Sequence, residues 1–437
     1  SLLPGTYRRN TTLVLNHMVA GVRFRSHPEN VRPARISGSV QVPAAAFAAL
    51  DGSSPAAAVR LPSAARQHVR TVNLKRLGIT DFGWHGSAAS LTSSPDRLEV
   101  AVDGVVLTLA RYPNIDQRVP GSPYVGYVAM SDGLVSNDGI VSNAGPNNAS
   151  ANAIRSGASA SLPVPAGSGG PDTVGMGEKA RQWARGGTTQ LLLHGYWRWQ
   201  WADAVLSARI VNDTFVFSPD VATRAGAPGM RYWPPRAGLP YYALDLIEEL
   251  DTPGEMWLDR DTGDLFIWMP TGKEFAQDTL IEVTTPLRDT SVEACAGLSE
   301  SGPTAACCWA GGMCTFMACS QSTSEVPGVC SADPDCDDRI DGGELCQLTP
   351  SLVRLDNTHH VTWENIDLQG GRGSALHLLN SSDVIIDGAN ISNMAVSAVV
   401  VSGGFRNTLR RLAVFETGMG GATLSGGERE TLTPCNH

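Results

Sequence analysis

Two carboxylates and a cation recur at a single spacing near the C-terminal end of the chain: Glu364, Asp387 and Arg410 lie 23 residues apart. If that spacing is one turn of a coil, the three side chains form an outward column, two acids on adjacent rungs and an arginine on the next. Glycoside hydrolysis uses two carboxyl groups flanking the scissile bond, about 5 Å apart for retention and about 6.5 to 9.5 Å for inversion. Mutual repulsion would raise one pKa, as an acid catalyst requires, while the arginine would hold the other group ionised. The alternative is a solvated charged column on the outside of a solenoid. Glu416 and Glu428 are further catalytic candidates because each lies near glycines (Gly418; Gly426 and Gly427), where backbone can approach a sugar closely. Turn solvation is the competing explanation for both.

Arg410, His377 and Trp199 are the expected substrate-binding residues. His377, like His359 and His360, could serve as a base, although a histidine on a polar edge is usually just exposed. Trp197, Trp199 and Trp201 alternate, so a strand would put them on one face, where they could stack on a sugar ring or form the core of a side domain.

A metal motif lies in the stretch from Asp333 to Glu344. Asp333, Asp335, Asp337, Asp341 and Glu344 match oxygen-ligand positions of a calcium loop, with Ile340 at the usual apolar place. Asp338 stands where such a loop has glycine, and no helical pattern flanks it. The expectation is a structural Ca2+ ion, against an acidic loop with no metal.

The elements that must position these groups are legible in a repeat. Val353, Leu376, Val399 and Ala422 form one apolar column and Leu355, Leu378, Val401 and Leu424 a second, with three more columns in the same register through Trp363, Ile366 and Leu368. One 23-residue turn cannot bury its own apolar side, but stacking places each strand about 4.8 Å above its equivalent and builds a continuous core. Arg354 and His377 fall between inward positions and are expected to face solvent. Asn357 and Asn380 repeat at a corner, where their amides could bond from rung to rung. A leucine-rich solenoid would need L-x-x-L-x-L and a helical outer segment, whereas here three β-like runs per turn are separated by Gly, Asn and Ser.

The predicted fold is therefore all-β: a right-handed parallel β-helix with an inserted β-rich side domain and a disulfide-rich insert. Residues 1–114 are expected to hold the first rungs, 115–290 a flexible Gly/Ser-rich excursion and the side domain, 291–348 the cysteine-rich insert, and 349–437 the 23-residue rungs. The turn Asp259-Arg-Asp-Thr-Gly263 reads as the tip of a β-hairpin leading into Leu265–Trp268.

Composition agrees, since only 17% of the 437 residues are charged while Gly (46) and Pro (27) are plentiful. A net charge of −10 leaves no basic stripe for nucleic acid and disfavours anionic membrane surfaces. No apolar run reaches 18 residues and no signal peptide is evident, so no membrane insertion is expected. The chain opens on Ser1 and reads as a processed or incomplete one, its rungs continuing past the last residue.

Cys295, Cys307, Cys308, Cys314, Cys319, Cys330, Cys336 and Cys346 crowd into one segment, which disulfides in an oxidising compartment would explain. Their spacing lacks paired C-x₂-C units and no histidine lies among them, which argues against zinc. The pairing is open, and Cys435 is left over. Sequons at Asn10, Asn148, Asn212, Asn380 and Asn390 fit a secreted glycoprotein at the cell surface or outside the cell.

Several strings resemble right-handed β-helix repeat proteins of the pectin-lyase-like class, including the β-helix glycoside hydrolases of family 141. They are Pro4-Gly-Thr-Tyr7, Leu109-Ala-Arg-Tyr-Pro-Asn114, His194-Gly-Tyr-Trp197, Glu248-Glu-Leu-Asp-Thr-Pro-Gly-Glu255 with Trp257-Leu-Asp-Arg260, and Gly426-Gly-Glu-Arg429. The cysteine-rich insert departs from that family pattern. The resemblance implies extracellular polysaccharide or another glycan as partner, and an enzyme of the glycoside hydrolase type. A lyase would need a dedicated cation and base, and no such set is evident. The competing expectation is a non-catalytic structural or glycan-binding module, working with other chains of a surface assembly.

Overall fold

The computed structural model describes residues 1–83, 88–89, 97–118, 124–129, 135–136, 139–140, 160–163, 176–188, 190–196, 203–211, 214–217, 239–288, 305–310, 313–318 and 351–426. The protein is mostly β, with several parallel sheets and little helix. Each 23-residue repeat contributes three short strands, one to each of three parallel sheets. The first sheet contains Leu13–Leu15, Ser351–Asp356, Ser374–Leu379, Ser397–Ser402 and Gly420–Ser425. Arg23–Arg25, Thr362–Glu364, Ile385–Asp387 and Thr408–Arg410 make the second. Thr6–Arg8, Ala34–Ser37, Ile366–Gly371, Asn390–Met394 and Ala413–Thr417 make the third.

Residues one repeat apart are direct partners: Leu355 pairs with Leu378 and Leu378 with Val401, while Trp363 pairs with Ile386 and Ile386 with Leu409. These inward columns form one core in which Leu355, Leu376, Leu378, Ile386 and Ile391 are wholly inaccessible. Fully burying such a side chain stabilises the fold by about 1.5–3 kcal/mol, so the repeat spacing itself carries the driving force.

The breaks between strands also repeat. Asn365, Gly388 and Arg411 take left-handed backbone at φ 50°, 73° and 53°, and His360, Asp383 and Arg406 do so at 57°, 56° and 56°. A third such column is Asn357, Asn380 and Gly403, and a fourth is Gly370, Asn393 and Glu416. Asn, Asp and Gly tolerate this conformation best, which accounts for their frequency between the apolar runs. At the third column the Asn357 amide donates to its neighbour Asp356 at 2.6 Å rather than to the next rung as expected.

The start of the coil is shorter than expected. Leu13 pairs with Val353, so residues up to Ser37 form the rung beneath Ser351–Asp356, and residues 38–350 intervene between the two. The chain leaves the coil at Gly38, where a Cβ would strike the Gly370 carbonyl. Residues 38–114, expected as further rungs, are instead mostly antiparallel. Val69–Asn73 pairs with Asp264–Trp268, which forms the predicted hairpin with Glu255–Leu258. Apolar alternation of this kind suits any half-buried sheet, parallel or not, and local sequence cannot tell them apart.

One side sheet bears on the site. Its strand order is Val105–Val106, Val100–Val102, Ile281–Thr284 and Ser39–Val42. Asp103 and Gly104, both at positive φ (48° and 84°), turn the hairpin between its first two strands, a pairing that two-residue turns favour. Val42, Val100, Val102, Ile281 and Val283 point into an apolar core, which leaves Ser39, Glu99, Glu282 and Thr284 on the opposite face, towards the coil corner at Gly370. A larger antiparallel sheet includes Arg111–Tyr112, Pro240–Leu244, Gln190–Tyr196 and Asp203–Val211, beside the helix Met176–Gly186.

Ala305–Ala310 and Met313–Ala318 pair antiparallel in the cysteine-rich segment. Cys307, Cys308 and Cys314 lie on these strands, whereas Cys295, Cys319, Cys330, Cys336, Cys346 and the calcium ligands Asp333 to Glu344 lie outside the described residues, as do Trp197, Trp199, Trp201, Glu428, Asn148 and Asn212. No described helix is long and apolar enough to cross a membrane.

Candidate functional site

The predicted column exists: Glu364 pairs with Asp387, and Asp387 with Arg410. Arginines occupy both acids. Arg23, on the rung below, donates to Glu364. Arg410 Nη2 lies 2.8 Å and Arg411 Nε 2.6 Å from the Asp387 carboxylate, whose side chain is only 3% exposed. The hydrogen bond from Arg411, then that from Arg410, holds Asp387 below the usual carboxylate range. This direction is opposite to the raised pKa expected of a proton donor. His377 Nε2 lies 3.1 Å from Ser402 Oγ, in the column of Arg354. Arg354, expected in solvent, is buried, with Nε 3.5 Å from Asp356.

A different acid, Glu99, lies where the side sheet faces the coil, within electrostatic reach of Glu416. Glu99 precedes Val100–Val102, and its backbone is fixed by Thr284: Glu99 N–H donates to Thr284 Oγ1 at 2.8 Å and Thr284 N–H to the Glu99 carbonyl at 3.0 Å. Alternation then aims the Glu99 side chain away from the valine core into a crevice of about 10 Å³, room for about one water molecule, lined by Ser39, Glu282, Gln369, Gly370 and Asn393. Glu416 stands at the left-handed corner one rung beyond Asn393, because Ser392 pairs with Phe415 and Met394 with Thr417. Burial pushes the Glu99 carboxyl up to about 7, and the charge of Glu416 pushes the same way, while Arg372 and Arg97 oppose them.

The surroundings are built to hold charge. Arg372, 2% exposed, donates to Asp81 Oδ1 at 2.8 Å and to the Thr284 carbonyl at 3.1 Å, tying coil to side sheet. Arg97 is pushed down to about 10 by burial, with Asp245 pulling it back. Glu282 is bonded by Arg8 at 2.7 Å, and Arg8 also donates to the Ser39 carbonyl at 2.9 Å. Thus Glu282 is neutralised directly, whereas Glu99 is flanked by cations and by another acid. A carboxyl that exchanges its proton near neutrality, beside a second acid, can give that proton to a leaving oxygen while the second acts on the opposite side. Of the four acids expected to be catalytic, the structure brings Glu416 to this place. Glu364 and Asp387 are instead held by arginines, and Glu428 lies outside the described residues.

Two other buried acids are structural. In the Glu248-Glu-Leu-Asp-Thr-Pro-Gly-Glu255 string, Glu249 accepts from Lys179 Nζ at 2.7 Å and Trp183 Nε1 at 2.7 Å, and Glu248 accepts from Arg60 at 2.9 Å. Glu255 accepts the backbone N–H groups of Asp251 and Thr252 at 3.0 and 3.2 Å, and burial pushes it up to about 8. The string ties strands together. An aromatic cluster flanks it: Arg111 lies 3.5 Å from the Tyr242 ring centre, and the Tyr242 hydroxyl is 2.6 Å from His194 Nδ1. Among the described residues no cluster of His, Cys, Asp and Glu is arranged to hold a metal.

Glu99 was missed from sequence, although Leu98-Glu-Val-Ala-Val-Asp-Gly-Val-Val106 carries the signal. Strict alternation into an Asp-Gly turn predicts a hairpin with Glu99 off the apolar face. What it faces depends on a coil strand far along the chain.

Comparison with known proteins gives little sequence support. No family model matches the chain, and no curated protein matches it. A solved structure titled "Glycoside hydrolase" is similar at a TM-score of 0.40 and 11% identity, covering 93% of this chain and 71% of that one.

Proposed function

We propose that this chain is a right-handed parallel β-helix protein that processes extracellular polysaccharide by glycoside hydrolysis, with Glu99 as the proton donor and Glu416 as the partner carboxylate. The observation that supports the reading is the placement of Glu99 in the crevice between side sheet and coil, where burial, and after it the charge of Glu416, push its carboxyl up to about 7. Glu99 would protonate the glycosidic oxygen as the bond to the anomeric carbon breaks. Glu416 would attack that carbon, or take a proton from the water that does, and the anomeric configuration of the released sugar distinguishes the two. Gln369 and Asn393 line the same crevice.

The setting belongs to the same proposal: disulfides in the cysteine-rich segment, a structural Ca2+ at Asp333 to Glu344, and glycans on the sequons. Asn10 and Asn390 are exposed, as a modified asparagine must be, while Asn380 is half-buried at a corner.

A second reading, a non-catalytic glycan-binding or structural module of a larger surface assembly, is favoured by the arginines that close the outward acids Glu364 and Asp387. Incubation with an array of cell-wall glycans separates the two. Released reducing sugar, lowered about 10²–10⁴-fold by Glu99→Gln, supports the hydrolase. Binding without release supports the module.

A further inference from the structure

We propose that the crevice at Glu99 holds one bound water molecule, fixed by Asn393, which relays the Glu99 proton outward to the substrate. The inference rests on the hydrolase reading and deepens it, because it states how an acid in so small a space reaches a sugar. A crevice of about 10 Å³ takes a water and excludes a pyranose ring. Coil and side sheet close to that size because they touch at Gly370, where an added Cβ would strike Ser39 Oγ.

Asn393 supplies the anchor. It occupies a left-handed corner at φ 55°, in one column with Gly370 on the rung before and Glu416 on the rung after. The residue is 3% exposed, and its Nδ2 donates to the Gly104 carbonyl of the side-sheet hairpin at 3.4 Å. Its Oδ1 is buried on the crevice side of the coil and has no hydrogen-bond partner among the described residues. A buried amide oxygen without a donor is costly, and a water that finds about two to four polar partners removes that cost. Ser39 and Gln369, both buried, line the same space and complete the set of partners.

Donor and acceptor roles then give the relay its direction. A protonated carboxyl donates and Asn393 Oδ1 accepts, so a water between them takes the Glu99 hydrogen bond, gives one O–H to Asn393 and keeps the other for an oxygen outside. Glu416, exposed one rung beyond Asn393, marks the side on which a glycan lies. In the transfer the Glu99 O–H bond breaks as the water gains that proton, and the outward O–H bond of the water breaks as the glycosidic oxygen gains one. The bond from that oxygen to the anomeric carbon breaks with its electron pair left on the oxygen. The water is regenerated and Glu99 remains as the carboxylate. Transfer through one intervening water is within the reach of a general acid. Asn393 touches neither the substrate nor the moving protons and is a positioning residue.

The test begins with neutron diffraction from crystals of the full chain grown below the Glu99 midpoint of about 7. One water is expected within about 2.6–3.2 Å of both Asn393 Oδ1 and the Glu99 carboxyl. A dry crevice, or a water that misses either group, overturns the proposal. Glycan hydrolysis in mixtures of H2O and D2O then counts the protons in flight. Two protons moving through the water curve the dependence of kcat on deuterium fraction, whereas one direct transfer gives a straight line and overturns the relay. Asn393→Gly keeps the left-handed corner and removes the anchor, so it should lower kcat about tenfold or more with KM unchanged and straighten the curve. Asn393→Asp, which keeps an oxygen at that place, should retain the curvature. An unchanged kcat in Asn393→Gly overturns the positioning role, and if that variant fails to fold, the diffraction and isotope results on the parent decide. Turnover with a dry crevice or a straight line sinks this proposal and leaves the hydrolase reading standing. A bridging water with no sugar released from any glycan sinks the hydrolase reading and the relay with it, and reduces the water to a structural one.

Discussion

Glu99, at the start of a side-sheet strand, lies within electrostatic reach of Glu416, at a left-handed corner of the coil, across the junction of the two parts of the protein. Neither element alone would raise the Glu99 pKa to about 7, because burial comes from the packing of sheet on coil and the like charge comes from the coil. If Glu99 is the proton donor, kcat/KM for glycan hydrolysis should fall as pH rises through about 7. Glu99→Gln should remove this alkaline limb together with most of the activity. A pH profile flat from 5 to about 9 would exclude Glu99 from the chemistry.

Stability should depend on pH through the same group. Glu99 and Glu255 have folded-state pKa values of about 7 and about 8, above the ordinary 4.5. A raised pKa means that the folded state holds its proton where the unfolded chain has released it, so stability falls as pH rises from about 4.5 to about 8. Asp387 and Asp383, held low by arginines, act in the other direction and lose their contribution only as pH falls below 3.8. The melting temperature should therefore peak near about pH 4–5. Glu255→Gln should flatten the decline on its alkaline side, as differential scanning calorimetry across that range would register.

The arginine ladder should act on stability more than on chemistry. Asp387→Asn keeps the shape but leaves Arg410 and Arg411 without the carboxylate they share. The melting temperature should drop at pH 6, and the difference from the parent should shrink as pH falls below 3.8, where protonation progressively removes the carboxylate that the arginines hold. Glycan hydrolysis should be unchanged at a temperature where both proteins are folded. Loss of turnover with an unaltered melting temperature would return Asp387 to the list of catalytic residues.

The coil was legible because its signal is periodic: stacking at 23 residues makes Leu355, Leu378 and Val401 equivalent, and the same arithmetic pairs Glu364 with Asp387. It failed where the period is interrupted. Leu13 pairs with Val353 across an excursion of more than 300 residues, and no local pattern records how long an excursion is. The site was half legible for a related reason. Glu416 was singled out beside its glycines, whereas Glu99 owes its raised pKa first to burial and then to the charge of Glu416, a residue distant in sequence. The arginines that close Glu364 and Asp387 were also half seen, since Arg410 shares their column but Arg23 and Arg411 do not.

Corner and core positions should respond to substitution in different ways. Gly388 has φ 73°, and an added Cβ would collide with Asn365 Oδ1 on the rung below. Gly388→Ala should cost about 1–3 kcal/mol through backbone strain and crowding. Leu378, wholly buried between Leu355 and Val401, should cost about 2–5 kcal/mol on truncation to Ala because the stack leaves little room to collapse into the cavity. Urea unfolding of both variants measures this, and a Leu378→Ala cost below about 1 kcal/mol would contradict the packing of that column.

Calcium provides the last test. Five carboxylates at Asp333, Asp335, Asp337, Asp341 and Glu344 repel one another when no cation is bound, and a hard divalent ion both cancels that charge and fixes the chain around it. An ion that binds only the folded state stabilises it by mass action, so the melting temperature should climb with calcium concentration and fall back on chelation. Because the ligands compete with Mg2+ through cavity size and ligand number, millimolar Mg2+ should reproduce only part of the shift. Glu344→Gln removes the residue proposed to bind with both oxygens and should weaken the response, whereas Glu274→Gln, an exposed acid elsewhere, should leave it intact. A melting temperature indifferent to calcium and to chelator in the parent protein would leave this segment an acidic loop with no metal.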